Sequence, residues 1–201
     1  NNKSKRRWLG PRIVAKDAAR TWRRQLTGEL LHPSSFTYGH DALGRPEVTD
    51  LPPGPVPWIS VAHKDRQYVA VASAAPIGID LEPATHDTEA LLEHFATADE
   101  IERLAPWSEA DPGFRWATRL WCAKEAAGKA RGTGLEGRPK RLQLIDLQPD
   151  GVMTLLDSDA STIYVVATFA QDGWIWALGW PATDATDRAG VTDVHGAEAA
   201  N

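Results

Sequence analysis

The chain has one cysteine, Cys122, so no disulfide can form within it, and no apolar run approaches the ~20 residues needed to cross a bilayer. A secretory leader is not expected from its opening residues. These scarcities point to a reducing, cytoplasmic setting. Excess charge is also slight, at a formal −5 over 201 residues. No nucleic-acid reading motif accompanies the basic residues, so neither nucleic acid nor membrane is expected as a partner.

What is present is ordinary globular composition. A 42% hydrophobic and 24% charged content suits one good-sized core. The chain does not begin with Met, and Asn1 to Arg7 is polar and basic. Residues 1–9 therefore read as a basic linker or the leftover of an excised, trimmed domain. The basic residues fall in two clusters. Arg6, Arg7, Arg12, Lys16, Arg20, Arg23 and Arg24 form the first, and Lys124, Lys129, Arg131, Arg138, Lys140 and Arg141 the second. Each cluster is expected either to attract anions or to be a solvated helix face.

From Pro11 to about Leu31 the spacing of Ile13, Ala18, Trp22, Leu26 and Leu30 predicts an amphipathic helix, with Pro11 in its first turn and the basic residues on its far side. Gly39 to Pro57 is rich in Gly, Pro and Asp and reads as loop. Trp58 to Ala62, Tyr68 to Ala74 and Ile77 to Leu81 read as strands, with a hairpin turn at Lys64-Asp65-Arg66. Thr97 and Glu100 form a capping-box signature for a helix to about Leu104, and Asp111-Pro112 caps a longer helix that Gly132 and Gly134 end. Leu142 to Leu147, Val152 to Leu156, Ile163 to Phe169 and Trp174 to Trp180 read as strands, two of the turns being Asp150-Gly151 and Asp172-Gly173. The order helix, strands, helix, strands suggests an α+β fold of two similar lobes, each a small, mostly antiparallel sheet packed with a long helix. Lobe one is expected at about 10–76 and lobe two at about 77–181, followed by a disordered tail over 182–201.

Two runs carry chemistry. In Gly78-Ile79-Asp80-Leu81-Glu82, strand alternation sends Asp80 and Glu82 to one face. In Trp121-Cys122-Ala123-Lys124-Glu125-Ala126-Ala127-Gly128-Lys129, helical spacing makes Glu125 and Lys129 neighbours. Asp80, Glu82 and Glu125 are too many acids for so apolar a neighbourhood unless a cation compensates them. Magnesium with a diphosphate is a natural compensator, since it takes oxygen ligands and keeps some water. Lys129 would then stabilise or protonate a leaving phosphate oxygen. The blander readings are a strand end with solvated acids and a surface Glu–Lys pair worth ~0.3–0.5 kcal/mol. Trp121, Ala126, Ala127 and Gly128 argue instead for a closely packed helix. Cys122 has no activating His or Asn nearby and reads as packing. The nine tryptophans read mainly as core and lobe-interface filler. Capping accounts for Asp99 and Glu100.

The two runs resemble the paired motifs Gly-Ile-Asp-x-Glu and Trp-x-x-Lys-Glu-x-x-x-Lys of the 4′-phosphopantetheinyl transferases, in their larger, surfactin-synthetase-associated type. Gly44-Arg45-Pro46, Ile59-Ser60-Val61-Ala62-His63 and Gly132-Thr133-Gly134-Leu135 resemble further elements of that family in the same order. The resemblance implies transfer of phosphopantetheine from coenzyme A to a serine of an acyl carrier protein or domain, with release of adenosine 3′,5′-bisphosphate. It implies Asp80, Glu82 and Glu125 as magnesium ligands, Glu125 as proton acceptor, directly or through a water, and Lys129 as neutraliser of the leaving group. It also implies Arg12, Lys16, Arg45, His63 and Lys129 as coenzyme A contacts, with His63 at the 3′-phosphate. Ala62 departs from the serine often found there, and lobe one is short for a free-standing member. The run from Trp8 to Arg20 resembles the transferases carried at the C-terminus of some polyketide synthases, whose carrier lies in the same polypeptide. The alternative is a non-catalytic, transferase-like module that docks carrier domains or holds coenzyme A within a synthase. As an isolated domain a monomer is expected.

Overall fold

The structure, a computed structural model, describes the backbone of residues 2–7 and the whole of residues 8–85 and 88–182. All but the first residue of the tail expected at 182–201 lies outside the described residues. Helix α1 (Asn2–Thr27) leads into a hairpin of β1 (Thr37–His40) and β2 (Pro46–Thr49), then a second hairpin of β3 (Trp58–Lys64) and β4 (Gln67–Ser73). β5 (Gly78–Pro83) is followed by the short helix α2 (Leu92–Phe95), α3 (Ala98–Ala110) and α4 (Trp116–Arg131). β6 (Leu142–Leu147), β7 (Val152–Asp157), β8 (Thr162–Gln171) and β9 (Trp174–Pro181) complete the chain. The class is α+β, with antiparallel strands throughout. The first half holds two two-stranded ladders, and the second a five-stranded sheet of order β5-β9-β8-β7-β6.

Three expectations about the first half need correction. α1 begins at Asn2, which puts Pro11 in its interior; the polar run before it holds good helix formers, and a proline costs that turn one hydrogen bond without ending the helix here. The inward face is not the predicted one. Ala15, Ala19 and Arg23 are buried, while Ile13, Leu26 and Leu30 are exposed. The reason is the Pro-rich segment that follows, whose carbonyls need donors that α1 supplies. Lys16 donates to the carbonyls of Pro33 and Phe36, Arg20 to that of Leu31, and Arg23 to those of Pro53 and Pro55. The small side chains of Ala15 and Ala19 let the helix approach. Finally, Gly39 to Pro57 is not all loop, because it contains β2 and the end of β1, strands of four residues each that are too short to show a period.

The second half follows the predicted strands closely. Asp172 and Gly173 both have positive φ, 52° and 79°, as a type I′ hairpin turn requires. The capping box is present at the start of α3, with Thr97 Oγ1 accepting from the Glu100 N–H and the Glu100 carboxylate accepting from that of Thr97. α3 runs on to Ala110, beyond the predicted end. Asp111 caps a single 3₁₀ turn over Pro112–Phe114 rather than α4 itself, and Arg115, at φ 61°, breaks the chain before Trp116. α4 is buried on nearly every side, from Trp116 to Ala130, and forms the axis of the main core with Leu104, Leu142, Met153, Leu155, Val166 and Ile175. A smaller core lies between α1 and the first hairpins, and Ala62, Ile79 and Leu81 join the two halves.

Candidate active site

β5 lies against α4 because Gly78 has no side chain. A Cβ there would sit 1.9 Å from the Ala126 carbonyl oxygen and 2.6 Å from the Ala130 nitrogen. Gly128 similarly admits the turn after α4, since a Cβ there would sit 2.9 Å from the carbonyl carbon of Gly134. That turn needs Gly132, at φ 94°, to close the helix in the left-handed region. The Gly134 N–H then bonds back to the Gly128 carbonyl at 2.9 Å. The small residues of both motif runs thus allow two backbones to close on one helix.

The close approach brings the runs together. Ile79 and Leu81 point into the inter-half core, and Asp80 and Glu82 alternate with them. Lys129 donates to Asp80 Oδ1 at 2.7 Å and to the Ile79 carbonyl at 3.0 Å. Glu82, 7% exposed, is held by Lys64 at the end of β3. The ammonium donates to Oε1 at 2.9 Å and lies 2.7 Å from Oε2 as an ion pair. Burial pushes the Asp80 carboxyl above the usual carboxylate range, Lys129 pulls it down, and Glu82 pushes it up again. Burial followed by the charge of Asp80 raises Glu125 in the same way, with Lys129 opposing. Glu125 has no ion-pair partner among the described residues. The buried Cys122 thiol is pushed well up by burial and by the charges of Asp80 and Glu82, which keeps it protonated and bears out its packing role.

The donor set suits a hard divalent cation. All three groups are carboxylates, burial and like charge nearby penalise the ionised forms of Asp80 and Glu125, and Asp80 Oδ2 is buried without a hydrogen-bond donor among the described residues. Among those residues the carboxylates are not gathered round one point, and lysines hold two of the three. Asp80, Glu82 and Glu125 would hold the ion.

Beside this cluster lies a cavity of about 300 Å³ between the β1–β2 turn, β3 and the turn after α4. Arg45 and Lys129 both line it, with Ser60 and Thr133. Arg45 is anchored by Asp41 at 3.0 Å and stacks 4.1 Å over Trp58. Arg12, Lys16 and His63 do not line it. Arg12 lies 4.0 Å over the Trp8 ring, Lys16 is committed to the two carbonyls above, and His63 is exposed and stacked on Tyr68 at 5.8 Å. So the structure joins Arg45 and Lys129 and leaves the other three outside.

Sequence reasoning missed Lys64, which carries no periodic signal, and misjudged Lys124 and Glu100. Lys124 is fully buried and pairs with Glu100, itself 2% exposed, while donating to the Phe95 carbonyl at 2.8 Å. Glu100 also accepts from the Leu144 N–H at 2.7 Å. Burial lowers the Lys124 pKa, and Glu100 opposes the shift. Capping is therefore only part of what Glu100 does. The place of Lys124 among Trp121, Ala123 and Ala127 was the available signal for a buried lysine.

The family model for the 4′-phosphopantetheinyl transferase superfamily matches residues 76–178, the stretch that carries β5, α4 and the five-stranded sheet. The chain belongs to this superfamily. A Synechocystis protein named as a 4′-phosphopantetheinyl transferase is 33% identical over 106 residues, which are 51% of this chain and 41% of that protein. The 4′-phosphopantetheinyl transferase of Bacillus subtilis is 25% identical over 142 residues, 71% of this chain and 61% of the relative. The chain thus spans less than two thirds of the length of either. The crystal structure of Helicobacter pylori holo-[acyl-carrier-protein] synthase in complex with coenzyme A covers 53% of this chain and 99% of its own, at 16% identity and a TM-score of 0.42.

Proposed function

We propose that this chain transfers 4′-phosphopantetheine from coenzyme A to a serine of an acyl carrier protein or domain and releases adenosine 3′,5′-bisphosphate. The observation that carries the reading is the union of the two motif runs, with Lys129 on Asp80 and Glu125 beside them at a raised pKa. The names of the Synechocystis and Bacillus relatives support the same activity. When bound, magnesium supplies charge neutralisation at the coenzyme A diphosphate. The serine Oγ attacks the β-phosphorus. The new O–P bond forms as the bond from that phosphorus to the bridging oxygen breaks, and the bisphosphate leaves with that oxygen. Glu125 takes the serine proton, directly or through a water, a task suited to a carboxyl whose pKa lies above the usual range. Lys129 neutralises the departing phosphate, and Arg45 binds a phosphate in the cavity they share. His63 and Arg12 contact the ligand beyond that cavity, while Lys16 acts through the loop it holds.

The finer assignment is to the larger, surfactin-synthetase-associated type, as a C-terminal domain of a polyketide synthase working in the cytoplasm on a carrier of its own polypeptide. It is a monomer when isolated, with the halves at about 10–76 and 77–181 acting as walls of one cleft. The test is intact-mass measurement of an unmodified acyl carrier protein after incubation with the chain, coenzyme A and magnesium, with and without chelator. A gain of one phosphopantetheine that chelator prevents, and that Glu125→Gln abolishes without loss of coenzyme A binding, is expected. No gain with several carriers, including one from a polyketide synthase, would favour the non-catalytic docking module.

A further inference from the structure

The two strand carboxylates are served by lysines that differ in how firmly they are held. Lys129 comes from a buried helix, is 26% exposed in its side chain and has two separate acceptors, Asp80 Oδ1 and the Ile79 carbonyl. Lys64 comes from the last position of β3, beside the Asp65 turn, is 38% exposed, and directs both its contacts to the one carboxylate of Glu82. Lys64 reaches both oxygens of the buried Glu82 carboxylate, so a divalent ion that takes Glu82 as a ligand meets Lys64 there.

We infer that Lys64 is a displaceable counter-cation of the site, one that occupies Glu82 in the metal-free protein and competes with the divalent ion for it. The inference rests on the magnesium reading above. The exchange keeps Glu82 neutralised in both states. It also lowers the apparent metal affinity by the strength of the Lys64 contact, because only the fraction of molecules with Lys64 swung away is competent to bind. The long, half-exposed stem of Lys64 lets it leave without moving β3, whereas Lys129 has a backbone carbonyl to hold it in place.

The test is Mn²⁺ binding to the full chain, read as free Mn²⁺ by electron paramagnetic resonance. Lys64→Met is expected to bind about tenfold tighter than the unaltered chain, Lys64→Arg no tighter, and Arg66→Met, which removes a neighbouring exposed charge, within about twofold of it. Equal or weaker binding by Lys64→Met, in a chain whose Mn²⁺ binding Glu82→Gln still weakens, would overturn the inference and leave the magnesium reading standing. No Mn²⁺ binding by any form, with or without coenzyme A, would remove that reading and the inference with it. A second measurement needs no substitution: the acetylation rate of Lys64, followed by peptide mass spectrometry, is expected to rise severalfold when Mg²⁺ is added, and an unchanged rate overturns the inference.

Discussion

Glu125 shows how a reactive side chain and a stable fold make opposite demands. Its carboxyl pKa is raised, first by burial and then by the charge of Asp80, with Glu82 adding to the effect. A raised folded pKa means that the group's contribution to stability is fully present below the unfolded carboxyl value of ~4.3 and is lost as pH rises through the higher folded value. At neutral pH Glu125 therefore destabilises the fold. Glu125→Gln is expected to raise the melting temperature by about 2–4 °C near pH 7.5 and by nothing near pH 4, where the native group is already protonated. Thermal melts at the two pH values check this, and a fall near pH 7.5 would contradict it. The same residue is the one whose loss is expected to end transfer, so stability and activity part at a single position. Asp80, Glu82, Glu125 and Lys129 were all legible in the sequence because strand and helix periods place them on defined faces. Lys64 was not, because its partner lies 18 residues away and no local period links them.

At the scale of elements, α4 is a helix whose small residues argue for close packing and whose surroundings bury it almost completely. The Lys124–Glu100 pair joins α4 to α3, and through Phe95 and Leu144 to α2 and β6. Removing one partner of such a pair leaves a buried, uncompensated charge. Glu100→Gln is expected to cost about 3–5 kcal/mol in urea unfolding, far more than the ~1 kcal/mol of a lost cap. A loss of only the smaller size would mean that capping is the whole of its role. The later strands were readable because their apolar alternation is regular and two of their three turns use Asp-Gly. α1 was misread in register. Its buried face is made of Ala15, Ala19 and Arg23, and hydrophobic periodicity does not score an arginine as interior. Arg23, 3% exposed among proline carbonyls, is interior because the loop lacks donors of its own.

Across the whole molecule, acid groups with raised pKa values predict how the chain answers to a divalent cation. An ion that binds the folded state only adds stability by mass action, and it competes with protons for Asp80 and Glu125. On the magnesium reading, Mg²⁺ is expected to raise the melting temperature near pH 7.5 and to lose that effect as pH falls toward 4. A pH-independent shift would place the ion elsewhere. The sequence by itself determined the α+β class, the strands of the second half, the capping box and the identity of the paired motif residues, since each follows from local period, turn chemistry or spacing. Only the tertiary structure decided that Gly78 and Gly128 let two backbone segments close on α4, that Lys129 turns to Asp80 and Lys64 to Glu82, and that Arg45 shares a cavity with Lys129 while Lys16 does not. Those facts depend on contacts between residues far apart in the chain, where burial and the demand of carbonyls and carboxylates for donors outweigh any local preference.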